Sequence, residues 1–376
     1  MITRAAVLRS VGEAAPYADS RPLVIEELTL DPPGPGEVLV GVRAAGLCHS
    51  DLSVVNGDRP RPVPMALGHE AAGEVLEVGA GVSSVEPGDH VVMVFVPSCH
   101  ACGPCEEGRP ALCERGAATN TNGTLLSGER RIHAADGSDV NHHLGCSAFA
   151  DRAVVSERSL VKIDADLPWA EAALFGCAVL TGVGAVVNTA QVRLGQSVAI
   201  VGLGGVGLNA LLAAVHSGAR TVVAVDVLQD KLELARDLGA THTVLAGPDA
   251  AAEVRDLTSG GVDVAVELAG SVPAWETAYR ATRRGGTTVT GGLPNPNAVW
   301  SVPPVHLVAE ERTIKGSYIG SAVPHRDIPR YVGLYRAGRL PVDRLLGDQV
   351  ALADINVALD HLASGHALRQ VVITDD

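Results

Sequence analysis

Aromatic side chains and positive charge are both scarce in this chain. Phe, Trp and Tyr make up 3% of its 376 residues, and its formal net charge is -14 at pH 7. A chain this acidic is not suited to coating nucleic acid or anionic lipid, because the phosphates of both would repel it. No run approaches the roughly 18 apolar residues of a membrane helix, and the first residues lack the apolar core of a signal peptide. We therefore expect a soluble cytoplasmic protein without a nucleic-acid or membrane partner.

Hydrophobic residues, glycine and clustered cysteines are plentiful instead. Hydrophobic residues account for 47% of the chain, and there are 42 glycines and 22 prolines. The length predicts about two domains of roughly 150 residues each. Val-rich runs at 37–43, 73–79 and 88–94, each bounded by turn residues, predict β-strands. The stretch 114–143 lacks clear periodicity and is predicted to be a long irregular excursion.

The pattern of predicted secondary structure changes near residue 195. Strand-like runs at 197–202, 221–226 and 262–268 alternate with helical stretches. Alternation of this kind predicts a parallel sheet with helices on both faces. The chain closes on one more strand-like run, at 369–374.

A glycine-rich turn follows the first strand of the alternating region. The segment Gly-Leu-Gly-Gly-Val-Gly at 202–207 has the G-x-G-x-x-G spacing at Gly202, Gly204 and Gly207. In a dinucleotide site these glycines allow a tight turn, close approach of the pyrophosphate and packing of the helix on the strand. Asp226 ends the next predicted strand, where a carboxylate accepts hydrogen bonds from ribose hydroxyls and repels a 2′-phosphate. The pattern predicts NAD rather than NADP, and the alternative is a glycine-rich turn without a ligand.

Four of the seven cysteines lie close together. They are Cys99, Cys102, Cys105 and Cys113. In a long intracellular chain, clustered cysteines are more often metal ligands than disulfides. Four thiolates form a closed tetrahedral zinc site with no open coordination position. An iron–sulfur cluster and a set of ordinary buried cysteines are the alternatives, although the second cysteine set and Cys-Pro ending of a ferredoxin are missing.

Three further residues could form a second metal site. Cys48, His69 and Cys177 are separated in the chain, and each alone is more often structural than metal-ligating. Together they would give the Cys₂His set that leaves a fourth position for water or substrate. Their spacing alone does not show that they converge.

These motifs resemble those of the zinc-containing medium-chain alcohol dehydrogenase family, in its liver-type branch. The resemblance rests on five segments in the family's order: 46–51 (Gly-Leu-Cys-His-Ser-Asp), 68–70 (Gly-His-Glu), 99–113, 176–177 and 202–207. It implies an α/β Rossmann coenzyme domain over 179–318. It also implies a mainly β, GroES-like catalytic domain formed by 1–178 and 319–376, with a structural zinc lobe at 97–115.

The resemblance assigns expected roles to residues near the second metal site. Cys48, His69 and Cys177 would bind a catalytic zinc, with Asp51 behind His69 and Glu70 behind the metal. Ser50 matches the hydroxyl that takes the alcohol proton, although it could be an ordinary polar turn residue. The family often places a histidine three residues further on, where this chain has Ser53. Cys146 belongs to neither cysteine set and is predicted to be a small core residue.

The same resemblance implies contacts with the cofactor and the substrate. The expected cofactor contacts are the turn glycines including Gly205, Asp226 and Lys231 at the adenosine ribose, His49 and Arg369 at the pyrophosphate, and Val206 and Thr181 at the nicotinamide. The expected substrate pocket contains the apolar Phe95, Leu144 and Leu293 beside the polar Arg59, His143 and Tyr318. The polar members suggest a substrate with a polar or anionic tail, unless Arg59 turns to solvent.

We therefore expect an NAD-dependent oxidoreductase with two zinc ions per chain. It would move hydride between a primary, secondary or aryl alcohol and NAD, giving an aldehyde or ketone. The alternative with the same motifs is a formaldehyde dehydrogenase that acts on a glutathione or mycothiol adduct. A distant alternative is a non-catalytic NAD-binding protein, which would be expected to have lost ligands that this chain keeps. The long 114–143 segment resembles that of the family's dimeric branch more than the shorter segment of its tetrameric bacterial branch, which implies a homodimer.

Overall fold

The structure, a computed structural model, describes residues 1–374. Its strands are β1 Ile2–Leu8, β2 Leu23–Leu30, β3 Glu37–Gly46, β4 Met65–Ala66, β5 Ala71–Val78, β6 His90–Met93, β7 Ile132–His133, β8 Asp139–His142, β9 Arg152–Ser156, β10 Leu160–Ile163, β11 Ser197–Val201, β12 Thr221–Asp226, β13 His242–Leu245, β14 Val262–Glu267, β15 Thr282–Thr290, β16 Thr313–Gly316, β17 Leu346–Ala351 and β18 Arg369–Ile373. Its helices are α1 Tyr17–Ser20, α2 His49–Val55, α3 Gly103–Glu106, α4 Glu114–Asn122, α5 Trp169–Leu174, α6 Ala178–Gly184, α7 Gly205–His216, α8 Gln229–Asp237, α9 Ala250–Leu257, α10 Val272–Ala281, α11 Pro304–Ala309, α12 Pro324–Arg336 and α13 Ile355–Ala363. None of the described helices is long and apolar enough to cross a membrane.

The chain forms two compact units. The first unit contains Met1–Cys177, Val323–Val332 and the described chain from Leu346; the second contains Ala178–Ala322 and Gly333–Leu345. This division rests on contacts and assigns no function. The predicted domains, 1–178 with 319–376 and 179–318, therefore remain a prediction, and 333–345 group here with the second unit.

The first unit is built mainly from β-strands. Strands β1, β2, β7, β8 and β4 close into a barrel, and a second sheet has the order β10-β6-β5-β3-β18-β17, with β9 also paired to β3. The barrel encloses apolar side chains that solvent does not reach, among them Val7, Leu28 and Leu125. The predicted strands at 37–43, 73–79 and 88–94 correspond to β3, β5 and β6.

The second unit is a parallel sheet with helices between its strands. The strand order is β13-β12-β11-β14-β15-β16, and neighbouring strands pair in parallel. Strands buried on both faces are nearly continuous apolar runs, as in β11, whose residues are all buried. The predicted fold class, a Rossmann domain plus a mainly β GroES-like domain, is confirmed.

The prediction of an irregular segment over 114–143 is wrong. This segment contains the helix α4 and the paired strands β7 and β8. Helix α4 has mostly polar residues and no apolar stripe, so periodicity did not reveal it. Its start is capped by the Cys113 sulfur, which accepts from the Gly116 N–H at 3.3 Å. A tertiary contact also holds it, because Asn120 donates to the Phe95 carbonyl at 2.8 Å.

Candidate metal centres and cofactor site

Cys48, His69 and Cys177 converge inside the first unit. Cys48 precedes α2, His69 lies in the link from β4 to β5, and Cys177 follows α5. One ligand atom from each lies within 4.8 Å of the others, and all three residues are buried. Two sulfurs and one imidazole nitrogen are the donor set of zinc sites that keep an open position.

Glycines next to these ligands allow the approach of neighbouring backbone. Gly68 has φ +94°, and a Cβ there would lie 2.3 Å from the backbone nitrogen of Phe149. A Cβ on Gly176 would lie 2.4 Å from the carbonyl oxygen of Met93. Any larger residue at either position would displace the chain that carries His69 or Cys177.

Asp51 fixes the orientation of His69. Oδ1 of Asp51 lies 2.9 Å from Nδ1 of His69, and Oδ2 accepts from the backbone N–H of Cys48 at 3.1 Å. An ionised carboxylate only accepts hydrogen bonds, so Nδ1 carries the imidazole proton and Nε2 is left with a lone pair. Nε2 of His69 is buried and has no hydrogen-bond partner among the described residues. A metal ion beside the two sulfurs would satisfy it.

Glu70 and Arg369 form an ion pair beside this group. Nε of Arg369 donates to Oε1 of Glu70 at 2.9 Å, Nη2 makes a second contact, and both side chains are buried. Gly46 makes room for the carboxylate, because a Cβ there would overlap Oε1 of Glu70. Arg369 was predicted to contact the cofactor pyrophosphate. The partner that the structure gives it is Glu70.

Neighbouring charges shift the pKa of the ligand residues. The hydrogen bond with Cys177 lowers the pKa of Cys48 well below its ordinary value; burial opposes this, and the Arg369 charge lowers it further. Burial lowers the pKa of His69, but Asp51 and Cys48 raise it more, so the net direction is upward. A metal ion bound at Nε2 would take the place of the proton that this shift favours. Burial raises the pKa of Asp51 against the lowering effect of His69. A thiolate at Cys48 is the form that binds a metal.

The four clustered cysteines also meet. One ligand atom from each of Cys99, Cys102, Cys105 and Cys113 lies within 4.8 Å of the others. The Cys113 sulfur accepts from the backbone N–H of Cys99 at 3.2 Å, in addition to the cap of α4. Backbone hydrogen bonds from Cys105 and Glu114 lower the pKa of Cys102 to about 7. Four sulfurs within reach of one another, with backbone donors to Cys102 and Cys113, fit a closed zinc site.

The glycine turn of the second unit joins β11 to α7. Gly202 has φ +90°, and a Cβ on Gly207 would lie 1.8 Å from the carbonyl oxygen of Gly202. At Gly204 a Cβ would meet nothing within 4 Å. Gly202 and Gly207 are therefore needed by the fold itself, whereas the space beside Gly204 is open to a ligand.

The other predicted cofactor residues of the second unit differ in exposure. Asp226 is buried and accepts from the backbone N–H of Leu203 at 2.6 Å and of Leu228 at 3.0 Å. Lys231, Gly205 and Val206 are partly exposed, whereas Thr181 in α6 is buried. Their contacts with a cofactor remain predictions.

The predicted relay residues lie on the first turns of α2. Ser50, the predicted proton acceptor, is partly exposed. His49, which was predicted to contact the pyrophosphate and begins the same helix, is exposed. The Ser53 hydroxyl donates to the carbonyl of His49 at 2.8 Å, within its own helix.

Cys146, expected to be a small core residue, is fully buried.

The predicted substrate residues fall into three groups. Phe95 and His143 pack edge-on against the His69 ring, at 5.3 Å and 5.7 Å between ring centroids. Leu144 is buried and Arg59 is partly exposed in the first unit. Leu293 and Tyr318 belong to the second unit, where they are exposed. His143 was expected in a polar pocket but is 1% exposed beside Asp51.

The family models and the most similar proteins agree. Residues 34–165 match the alcohol dehydrogenase GroES-like domain, and residues 205–336 match the zinc-binding dehydrogenase domain. An NDMA-dependent alcohol dehydrogenase of Amycolatopsis methanolica is 40% identical, over 99% of each chain. An S-(hydroxymethyl)glutathione dehydrogenase of Paracoccus denitrificans is 36% identical, over 99% of this chain and 100% of its own. The crystal structure of a benzyl alcohol dehydrogenase of Acinetobacter calcoaceticus has a TM-score of 0.92 at 33% identity and covers 100% of both chains.

Fold, ligand groups and relatives define the class of this protein. The chain belongs to the zinc-binding alcohol dehydrogenase family. It is an enzyme, an oxidoreductase that interconverts an alcohol and its carbonyl product with NAD and zinc as cofactors. The predicted activity class and cofactors are thereby confirmed.

Proposed function

We propose that Cys48, His69 and Cys177 hold the catalytic zinc and leave its fourth position for the alcohol. The observation that carries this proposal is the buried, unpartnered Nε2 of His69 within 4.8 Å of the two sulfurs. Zinc held there would act as a Lewis acid and lower the pKa of the alcohol hydroxyl. Asp51 keeps the His69 proton on Nδ1, so that Nε2 stays available as a ligand.

Ser50 has a role in proton transfer at this site, and Arg369 has a role in charge balance. Ser50, which is partly exposed, takes the alcohol proton and passes it towards the nicotinamide ribose. Arg369 balances the charge of Glu70 beside the two thiolates, and it lowers the pKa of Cys48. Arg369 also contacts the cofactor pyrophosphate, and the proton leaves through Ser53 and water.

The remaining predicted sites complete the proposed enzyme. Cys99, Cys102, Cys105 and Cys113 bind a second, structural zinc that holds α3 and the start of α4. The turn at 202–207 binds the NAD pyrophosphate, where the space beside Gly204 supports close approach. Asp226 accepts from the adenosine ribose; its buried carboxylate, already held by two N–H groups, would exclude a 2′-phosphate.

We propose a primary, secondary or aryl alcohol as the substrate. The apolar Phe95 beside the His69 ring suits a hydrocarbon or aryl group, as does the buried Leu144, which follows His143 in the chain. The Acinetobacter neighbour is named for benzyl alcohol, whereas the Paracoccus relative is named for a glutathione adduct. Turnover with and without a thiol distinguishes these two substrate classes.

We further propose that the enzyme works as a cytoplasmic homodimer. Strand β16 is the last strand of its sheet, and the segment before it carries three valines, Val299, Val305 and Val308, that are 80%, 62% and 79% exposed. A strand at the edge of a sheet and exposed apolar side chains in the preceding segment are both features that a second copy of the chain would cover.

The test measures NADH formation by the purified full chain against primary, secondary, aryl and hydroxy-acid alcohols, with and without glutathione or mycothiol. Some alcohol should be oxidised without a thiol.

Cys48→Ser should lower kcat/KM by about a thousandfold, because loss of a Lewis-acid site removes several kcal/mol of transition-state stabilisation. Cys146→Ala is the control, since Cys146 lies outside both ligand groups and should retain activity. Unchanged turnover by Cys48→Ser would refute the catalytic site, and strict thiol dependence would refute the simple-alcohol substrate.

A further inference from the structure

A second imidazole lies beside the carboxylate that orients His69. His143 follows β8 and is 1% exposed. Its Nδ1 is 3.4 Å from Oδ1 of Asp51, the same oxygen that lies 2.9 Å from Nδ1 of His69. The two imidazole rings meet at 88°. Oδ1 of Asp51 therefore faces two ring nitrogens, while Oδ2 is engaged by the Cys48 N–H.

This arrangement matters because Asp51 is completely buried. Its carboxylate is 0% exposed and cannot obtain hydrogen bonds from bulk water. A buried charge is costly unless hydrogen bonds satisfy it, and each carboxylate oxygen can accept two. The described residues give Oδ1 one close donor, His69. Nδ1 of His143 is itself buried and makes no standard hydrogen bond within the described chain.

We infer that His143 is a positioning residue, which turns its Nδ1–H to Oδ1 of Asp51 and holds this carboxylate in place for His69. The inference rests on the proposed zinc site at Cys48, His69 and Cys177. In the tautomer with its proton on Nδ1, His143 donates, and the 3.4 Å separation is slightly longer than a usual N–H···O bond. The carboxylate is then held from three sides and cannot turn away from His69.

The expected effect is on the affinity for zinc. Residues that orient a metal-bound histidine typically change metal affinity by about 10–100-fold when replaced. His143 would act on the metal only through Asp51 and His69, so we expect a loss of zinc affinity at the lower end of this range, about tenfold. Zinc at the four-cysteine group should be unaffected, because His143 is not among its residues.

Three substitutions separate hydrogen bonding from packing. His143→Asn places an amide N–H near the position of Nδ1, His143→Gln places it near Nε2, and His143→Phe keeps a ring without any donor. Zinc affinity is measured by competition with a chromogenic chelator on the purified full chain, and thermal unfolding is recorded for each variant. Gln and Phe should each weaken the open site about tenfold, whereas Asn should stay close to the native affinity. Equal affinity in all three variants, or equal loss in all three, would overturn the inference.

A double-mutant cycle gives a second, independent test. If His143 acts through Asp51, His143→Phe should cost little further zinc affinity once Asp51→Asn is present. Fully additive losses would show that the two residues act separately and would contradict the inference. The proposed function fails in a different way, if the native chain binds no zinc that Cys177→Ser removes.

Discussion

At the residue scale, Glu70 and Arg369 form an ion pair that solvent scarcely reaches. The carboxylate side chain is 0% exposed and the guanidinium side chain 6%. Desolvation makes such a pair a weak source of stability, but removing one partner leaves an uncompensated buried charge. The two thiols close by add negative charge when ionised, and Arg369 is the cation that balances them.

Arg369→Met should lower the free energy of unfolding by about 3–5 kcal/mol, because Glu70 is left buried without its partner. Arg4→Met is the matched control, since the Arg4–Asp151 pair is open to water on the Arg side, which is 53% exposed. The control should change stability by about 0–1 kcal/mol. Chemical denaturation of both variants tests this, and similar losses in the two would contradict it.

His142 should make the protein less stable in acid. Burial lowers its pKa to about 3 from an ordinary 6.5, and its Nε2 accepts from the Arg131 N–H. The unfolded chain therefore takes up a proton below pH 6.5 that the folded chain refuses until about pH 3, so stability falls as the pH drops through this window. His142→Gln keeps an acceptor near the position of Nε2 without the titration. Its unfolding temperature should fall less between pH 7 and pH 5 than that of the native chain.

The exposed His361→Gln serves as the control for that comparison. It should follow the native pH profile, because the His361 side chain is exposed and its replacement changes no buried group. A native profile in His142→Gln would show that His142 does not contribute to acid sensitivity.

Sequence reasoning at this scale identified residue types better than their partners. Cys48, His69 and Cys177 were chosen because their side chains are zinc ligands, and the structure brings them together. The contacts of Arg369 with Glu70 and of His143 with Asp51 were not predicted. Both join residues far apart in the chain, and no local pattern signals them. The close approach at Gly46 that admits Glu70 is likewise visible only in three dimensions.

At the element scale, the turn from β11 to α7 separates glycines needed for folding from one left for a ligand. Gly207→Ala should lower stability by about 1–3 kcal/mol, the cost of overpacking, since its Cβ would overlap the Gly202 carbonyl. Gly204→Ala should leave the unfolding temperature nearly unchanged, because its Cβ meets nothing within 4 Å. It should nevertheless weaken NAD binding at least tenfold, about 1.4 kcal/mol, by blocking close approach of the pyrophosphate.

Calorimetric titration with NAD, beside thermal unfolding, checks both variants. Native NAD affinity in Gly204→Ala would remove the support for a pyrophosphate at this turn. Native stability in Gly207→Ala would show that α7 can shift away from β11 without cost.

Elements with strong periodicity were predicted well, and those held by tertiary contacts were not. Strands β11 and β12 lie close to their predicted positions because apolar runs and glycine breaks mark them, and helix α7 follows the predicted glycine turn. Helix α4 was missed because it has no apolar stripe. A cysteine sulfur caps it and a side chain of the helix bonds to the Phe95 carbonyl, and neither contact is encoded locally.

At the scale of the whole molecule, the exposed valines before β16 test the proposed homodimer. Val308→Asp should reduce the molar mass in solution from two chains to one, because a charge buried in an interface costs several kcal/mol. Leu194→Asp is the control, as Leu194 is 86% exposed and lies elsewhere in the second unit. Light scattering coupled to size exclusion measures the mass. A native chain that is already monomeric, or a dimeric Val308→Asp, would contradict the proposal.

The class of the molecule could be predicted because several motifs occur in one order along the chain. The glycine turn alone, or the cysteines alone, would have left several classes open. Together with Cys48, His69 and Cys177 they predicted the family that the comparisons then confirmed. The substrate could not be predicted in the same way, because no motif determines the positions of the side chains expected to contact it, such as Arg59, Leu293 and Tyr318.

The most direct test measures zinc content and alcohol-dependent NADH formation on the same preparations of the native chain and of Cys177→Ser. We expect two zinc ions per chain and turnover in the native protein, and one zinc ion without turnover in the variant. Turnover retained by Cys177→Ser, or an active native chain that carries zinc only at the four-cysteine group, would contradict the account.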